Sequence, residues 1–161
     1  MKRRTNKMVE ELISYWKNYV FQSLLVALTT FVVLLFLSLQ EAVIVASIGA
    51  TAFIVFAMPN SVTARPRNVI GGHLVGLLCG TLFALIQNSS FLYSAVAYSL
   101  SVGLSIFIMV VIDTEHPPAS GTALGVAITG FSAAVVLAVM TSAVVLSLVR
   151  YSFRRYLRDL T

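Results

Sequence analysis

The chain has 161 residues, of which 58% are hydrophobic and 11% charged, and its formal net charge is +5. Soluble globular domains carry roughly 25% charged residues, so this composition excludes that class, and it also excludes disordered, collagenous and disulfide-stapled chains. Five charged residues lie between positions 20 and 149, and the other twelve lie in the two ends. This distribution predicts an all-α polytopic membrane protein that forms one domain over residues 1–161.

The basic residues follow the positive-inside pattern instead of forming the patch expected of a nucleic-acid-binding surface. Nine of the 11 Lys and Arg residues precede the first apolar run or follow the last one. We therefore expect a lipid bilayer as the surrounding medium and no nucleic-acid partner. The same pattern predicts a plasma (inner) membrane location with both termini on the cytoplasmic side.

Residues 1–19 are the first predicted element. Apolar side chains between Met8 and Tyr19 recur at three- and four-residue spacing, which is typical of a helix. Two interpretations remain open: an interfacial amphipathic helix with Trp16 and Tyr19 at headgroup level, or a plain extension of the first span.

Six apolar segments follow within residues 20–149, and the second and fifth are short enough to be re-entrant. Six crossings place all Lys and Arg residues on one side, whereas five crossings would put the four C-terminal arginines on the other. A four-span arrangement misplaces Arg65 and Arg67 and ranks second. The segments are Val20–Leu39, Val43–Met58, Val69–Ile86, Phe91–Ile112, Ala119–Gly130 and Ser132–Val149.

The basic tail, residues 150–161, is the last predicted element. Between Tyr151 and Leu160, arginines alternate with aromatic and aliphatic side chains. This pattern is typical of an interfacial helix, so we expect the chain to end in a helix that lies along the membrane surface.

The order long, short, long occurs twice along the chain. A shift of 71 residues aligns Thr51 with Thr122 and Ala52 with Ala123. Because each half has three segments, the second half is inverted in the membrane, which indicates a 3+3 inverted repeat. In such repeats, paired broken helices point to a transport site at the midplane.

The two short segments carry residues suited to binding an anion. A broken helix exposes backbone N–H groups at its N-terminus, and its dipole favours negative charge there. Pro117 and Pro118 pre-set such a start. The alternative is ordinary small residues at helix crossings. The candidate residues, which offer hydroxyl or imidazole donors or a small side chain, are Ser47, Gly49, Thr51, His116, Ser120, Gly121 and Thr122.

The start of the third segment supplies further candidates. Arg65 and Arg67 flank Pro66 and are expected to attract or clamp an anion at the cytoplasmic mouth, although a plain positive-inside loop explains them as well. Asn68 is placed to cap the third span. His73 is ionisable within a membrane helix, so it is a binding or proton-carrying candidate unless it only bonds another helix.

Gly72, Gly76 and Gly80 form a glycine ladder on one face of the third segment. Such a ladder lets another backbone approach closely. Packing within the chain is the favoured interpretation, and an oligomer interface is the alternative. The ladder and the small size together predict a homo-oligomer.

Two other functions remain open. Asp113, Glu115 and His116 combine carboxylate and imidazole groups, which suit several divalent ions, so a divalent-cation carrier is the first alternative. Capping of the Pro-Pro turn by the two acids explains the same residues. The second alternative is a non-transporting assembly or regulatory subunit. The chain has no defensible catalytic spacing and no phosphate loop, so we expect no enzyme activity and no cofactor.

Two stretches, residues 49–73 and 116–124, carry a family resemblance. The first contains the run Pro-Arg-Asn-x-x-Gly-Gly-His from Pro66 to His73, and the second begins with the triplet His116–Pro118. Together with the membrane layout, these resemble the HPP family of integral membrane proteins, which is named for its His-Pro-Pro triplet. The resemblance spans most of residues 20–150.

The resemblance implies anion transport, because plant chloroplast and cyanobacterial members of the family are associated with nitrite transport. Family members are usually described with four spans, whereas six segments are counted here. The family often has Ser-Pro and Gln before the Pro-Arg-Asn run, where this chain has Ser61-Val62 and Arg65. We therefore expect a transporter or channel for a small inorganic anion, with nitrite as the candidate, bound near the N-termini of the two short helices.

Overall fold

The computed structural model describes residues 2–36, 42–86 and 90–160, and most of the residues in these ranges are helical. The prediction of an all-α protein with six segments is confirmed, as is the shortness of the second and fifth. Residues 37–39, the end of the first predicted segment, lie outside the described residues. The helices are α1 (Lys2–Phe36), α2 (Ala42–Ala57), α3 (Pro66–Ala84), α4 (Phe91–Val111), α5 (Pro117–Thr129) and α6 (Ala133–Phe153), with a 3₁₀ turn at Val62–Ala64.

Prolines set the starts of α3 and α5. Pro66 takes the first position of α3, where its missing N–H has no helical partner to lose, so the helix begins before the apolar run does. Asn68 therefore lies inside the first turn, and the prediction that it caps the span is wrong. Its Nδ2 instead donates to the Glu115 carbonyl oxygen at 3.2 Å. Pro117 and Pro118 occupy the first two positions of α5 in the same way.

The N-terminal residues continue the first span as part of α1. Tyr15 leaves helical geometry, with φ of −122° and ψ of 18°, so the helix is kinked there. Ile13 and Trp16, which flank the kink, are both exposed. The kink separates the N-terminal part of α1 from its apolar part, so both interpretations of residues 1–19 stay open.

The predicted helix over Tyr151–Leu160 is wrong, because α6 ends at Phe153 and the tail after it is not helical. The tail folds back onto α1 and the end of α2. The buried Gln22 side chain donates to the carbonyl oxygens of Phe56 at 2.6 Å and Arg158 at 2.7 Å. Main-chain groups of the tail thus bond to α1 and α2 instead of to one another as in a helix. An amphipathic sequence pattern does not reveal such tertiary partners.

The substitution Gln22→Leu is expected to lower the free energy of unfolding by about 2 kcal/mol, because it leaves a buried helix-end carbonyl at Phe56 without a donor. Thermal denaturation in detergent, read together with tryptic cleavage after Arg158, measures the effect. The exposed neighbour Ser23 provides the matched control, Ser23→Ala. Equal melting temperatures for the two variants would contradict the prediction.

Successive helices α2 to α6 run in alternating directions. Arg150 of α6 donates to the Pro59 carbonyl oxygen just after α2, and Arg67 of α3 donates to the Ile112 carbonyl oxygen just after α4. The ends of α2, α4 and α6 and the starts of α3 and α5 therefore share one end of the bundle, called here the arginine-rich end. Among the described residues, α3, α4 and α6 are long and apolar enough to cross a membrane, and α2 contains a shorter apolar stretch, Ile44–Ala57.

The set of helix–helix contacts has a twofold pattern. Exchanging α1, α2 and α3 for α4, α5 and α6 turns each contact into another contact of the same set or leaves it unchanged. Helix α5 packs on α4 as α2 packs on α1, and α5 packs on α3 as α2 packs on α6. The contact of α3 with α4 corresponds to that of α6 with α1, while the α2–α5 and α3–α6 contacts map onto themselves. The two short helices thus cross each other at the centre of the bundle.

The glycine ladder packs against α5 within the chain, which confirms the favoured interpretation. A methyl group added at Gly72 would lie 2.7 Å from the His116 Cβ, and one at Gly80 would lie 2.7 Å from the Ala123 carbonyl oxygen. One at Gly76 would overlap the Ala119 carbonyl oxygen. The ladder therefore no longer supports the predicted homo-oligomer, which stays a prediction.

Candidate functional site

Helix α5 starts inside the bundle instead of at its edge. His116, the residue before the helix, lies against Gly72, which is six residues after the start of α3, or about 9 Å further in. The 3₁₀ turn reaches the same depth, because the Thr63 carbonyl oxygen contacts the His116 ring. Non-helical backbone at membrane depth is tolerated where protein buries it or where it lines a cavity, so this region is a natural candidate site.

The first half of the site links two buried histidines through one hydroxyl group. His116 Nδ1 lies 2.8 Å from the Thr63 carbonyl oxygen, and its Nε2 lies 3.0 Å from Thr51 Oγ1. The same Thr51 oxygen lies 2.9 Å from His73 Nε2. The two ring centroids are 5.1 Å apart, so Thr51 of α2 bridges a histidine of α3 and the histidine that precedes α5.

The second half of the site continues from the other nitrogen of His73. His73 Nδ1 lies 2.9 Å from Thr122 Oγ1, which lies 2.8 Å from Ser47 Oγ. Ser47 donates to the Pro118 carbonyl oxygen at 2.5 Å. The five side chains, all between 0% and 4% exposed, form what we call the histidine–hydroxyl chain: His116, Thr51, His73, Thr122 and Ser47.

The remaining predicted residues of the short helices lie around this chain. A methyl group added at Gly121 would lie 3.5 Å from the Ser47 Cβ, so this glycine lets α5 approach Ser47. Ser120 donates to the Pro117 carbonyl oxygen of its own helix, and Gly49 is exposed with open space beside it. The structure therefore brings four of the seven predicted residues of the short helices into one chain with His73, sets Gly121 beside it, and leaves Ser120 and Gly49 aside.

The first turn of α5 offers few backbone donors. Pro117 and Pro118 have no N–H, and the Ala119 N–H donates to the His116 carbonyl oxygen at 2.9 Å. An anion here would therefore be held by imidazole and hydroxyl groups, not by the backbone N–H groups on which the sequence argument relied.

The two loop arginines lie at the rim of the arginine-rich end. Arg67 pairs with Asp113 at 3.3 Å, and its Nη2 donates to the Ile112 carbonyl oxygen at 2.9 Å. The Arg67 and Asp113 side chains are 65% and 74% exposed, so the pair contributes little to stability, but it offsets the Arg67 charge. Arg65 is exposed in the same region.

The acidic residues near His116 do not converge with it. Asp113 faces Arg67, and both ring nitrogens of His116 are engaged by Thr63 and Thr51. In residues 2–36, 42–86 and 90–160 no group of three or more His, Cys, Asp or Glu side chains is placed to hold a metal ion.

These features define an integral, polytopic α-helical membrane protein with a polar histidine core at the crossing of two short helices. The chain belongs to the HPP family: residues 8–159 match the family model described as HPP, transmembrane region.

Two curated relatives are transmembrane proteins of Dictyostelium discoideum. The first is 40% identical over 91 residues, which cover 55% of this chain and 31% of that protein. The second is 35% identical over 78 residues, which cover 48% of this chain and 25% of that protein. The chain thus spans less than a third of the length of the curated relatives it matches. No solved structure matches it.

Proposed function

We propose that the protein transports a small monovalent anion across the membrane, with nitrite as the first candidate, and that the histidine–hydroxyl chain is its central binding element. The observation that carries the proposal is the burial of two histidines and three hydroxyl groups within an apolar bundle. Ionisable and polar groups inside a membrane are costly, and they mark substrate or ion pathways by default.

The chemistry of the chain suits nitrite. A protonated imidazole supplies the charge opposite to that of nitrite, and the imidazole N–H and hydroxyl groups donate to a small oxyanion when it replaces one of their partners within the chain. The association of HPP family members with nitrite transport points to the same substrate.

An inverted repeat supports the transport role. The 71-residue shift places Thr51 and Thr122 at equivalent positions, and both belong to the histidine–hydroxyl chain. The paired helix contacts and the opposite directions of α2 and α5 have the form of two inverted halves. In inverted-repeat transporters the substrate site lies where discontinuous helices of the two halves meet.

Orientation follows from charge. Arg65, Arg67 and Arg150 all lie at the arginine-rich end, and the C-terminal tail packs there as well. The positive-inside rule makes this end cytoplasmic, with both termini on that side of a plasma membrane.

Anion flux into vesicles of purified protein tests the proposal. Nitrite, nitrate, formate and chloride are compared, and protein-free vesicles give the background, because nitrous acid crosses bilayers unaided. We expect saturable uptake of nitrite. No flux of any anion into vesicles that hold folded protein would overturn the proposal and favour the assembly-subunit alternative.

Removing the charge of Arg67 and removing that of Asp113, both at the arginine-rich end, are expected to change the KM for nitrite in opposite directions. Arg67→Ala removes a positive charge and should raise the KM for nitrite by about two- to fivefold, the size of an exposed charge interaction. Asp113→Asn frees Arg67 from its partner and should lower KM by a similar factor. Flux measured against nitrite concentration at low and high salt checks both, since salt should shrink both effects. Changes of the same sign would contradict a steering role.

A further inference from the structure

The histidine–hydroxyl chain contains one more hydrogen bond than its neutral members have hydrogens. It begins at the Thr63 carbonyl oxygen and ends at the Pro118 carbonyl oxygen, and neither atom can donate. Along the path between these two carbonyl groups, the five members make six contacts. Each neutral imidazole or hydroxyl group brings one hydrogen, so five hydrogens serve six contacts.

The missing hydrogen falls at Thr51. The carbonyl of Thr63 takes the Nδ1 hydrogen of His116. From the other end, Ser47 donates to Pro118, so Thr122 donates to Ser47 and His73 donates from Nδ1. Both Nε2 atoms then present lone pairs to Thr51 Oγ1, whose single hydrogen can serve only one of them. The Thr51 hydroxyl also donates to the Ser47 carbonyl oxygen at 3.0 Å, and this contact competes for the same hydrogen.

We infer that the histidine–hydroxyl chain takes up one excess proton, shared between His73 and His116 through Thr51, and that this proton crosses the membrane together with the anion. The inference rests on the proposed function and makes it an electroneutral proton–anion symport. One added hydrogen fills all six contacts of the chain.

The proton moves between the rings by a balanced relay. With the proton on His116, the Nε2 hydrogen is donated to Thr51 and the Thr51 hydrogen to His73. Transfer passes the His116 hydrogen to the Thr51 oxygen while the former Thr51 hydrogen passes to His73 Nε2. No atom is gained or lost, and the positive charge moves from one ring to the other, whose centroids are 5.1 Å apart.

Electrostatics couples the proton to the anion. A lone cation or a lone anion buried in this bundle carries a large desolvation cost, whereas an adjacent pair of opposite charges offsets much of that cost. Binding of either ion therefore favours binding of the other, and the complex that crosses carries no net charge.

No charged side chain in the described part of the chain contacts either ring of the pair. Among the described residues, the polar and ring contacts of the two imidazoles go to hydroxyl groups, to the Thr63 carbonyl oxygen or to the other ring. Nearby charges are at the rim, where Arg67 and Asp113 pair with each other. The charged and titratable side chains on the elements packed against the pair are Arg65, Arg67, Cys79, Tyr93, Tyr98, Asp113, Glu115, Arg150 and Tyr151.

Two driving forces distinguish symport from movement of the anion alone. Nitrite uptake is measured under an inward proton gradient without membrane potential, and under a valinomycin-set, inside-positive potential without a proton gradient. We expect uptake to follow the proton gradient and to ignore the potential. Uptake driven by the potential alone would overturn the symport and leave anion transport standing, while no flux under either condition would overturn both.

Nitrogen NMR reads the proton directly. The chain has two histidines, so ¹⁵N-histidine labelling reports only on this pair. Adding nitrite is expected to convert the spectrum of two neutral rings into that of one shared imidazolium, with proton uptake that rises as pH falls. Two rings that stay neutral in the presence of nitrite while flux continues would overturn the inference.

The relay hydroxyl gives a matched pair of variants. Thr51→Val keeps the shape and removes the hydroxyl, so proton-driven uptake is expected to fall about tenfold or more, and the two rings are expected to titrate separately. Thr51→Ser keeps the hydroxyl and is expected to retain most of the uptake and the shared signal. Equal behaviour of the two variants would contradict a relay through Thr51.

Discussion

Gly76→Ala is expected to keep the protein from reaching its folded state. The added methyl group would overlap the Ala119 carbonyl oxygen, and neither group belongs to a flexible side chain that can turn away. Overpacking costs about 1–3 kcal/mol when side chains adjust, and here two main chains must separate, so we expect the upper end or more. The yield of monodisperse protein and its melting temperature measure the effect.

Gly103→Ala is the matched control. Gly103 lies in α4, is exposed, and would meet nothing within 4 Å if a methyl group were added. Alanine is the better helix former by up to about 1 kcal/mol, so the melting temperature is expected to stay the same or rise slightly. If both variants melted alike, the close approach of α3 and α5 would be refuted.

His73→Leu is expected to abolish nitrite flux, by about a hundredfold or more, because it removes the ring that joins the two halves of the histidine–hydroxyl chain. Flux into vesicles is compared with the amount of folded protein recovered. His73→Gln, which keeps a side chain able to form hydrogen bonds, serves as a second variant that separates loss of folding from loss of proton uptake.

Leu74→Ala is the control on the same helix. Leu74 is the next residue and is 48% exposed on the outer face of α3, so its truncation should leave flux unchanged. Flux that survives in His73→Leu, or is lost equally in Leu74→Ala, would contradict a role for the histidine itself.

Composition and spacing predicted much of the fold, because helices in a membrane need long apolar runs. Short second and fifth segments, starts at proline, and a glycine ladder for close packing all have local signatures, and the structure has them. His73 and His116 were also predictable, since an ionisable side chain within an apolar run needs a reason to be there.

The connections within the site were not predictable. Thr51 meets rings that are 22 and 65 positions away in sequence, and two ends of the histidine–hydroxyl chain are main-chain carbonyl groups. Every residue has a main-chain carbonyl group, so the sequence does not single out Thr63 and Pro118 as the terminal acceptors of the chain. The two wrong predictions have a similar cause, because each concerns a polar group that bonds to a residue distant in sequence. The Asn68 side chain donates to the Glu115 carbonyl oxygen, and the Arg158 carbonyl oxygen of the tail accepts from Gln22.

The position of His73 between two threonines has a consequence for direction. Its two ring nitrogens lie at the same distance, 2.9 Å, from Thr51 and Thr122, which the proposed repeat makes equivalent. The same shift sets Val45 in the place of His116, so the two halves agree in backbone and differ in chemistry at this step. A proton that reaches His73 meets a second imidazole beyond Thr51 and only hydroxyl groups beyond Thr122, so proton transfer from His73 is directed toward Thr51 and His116.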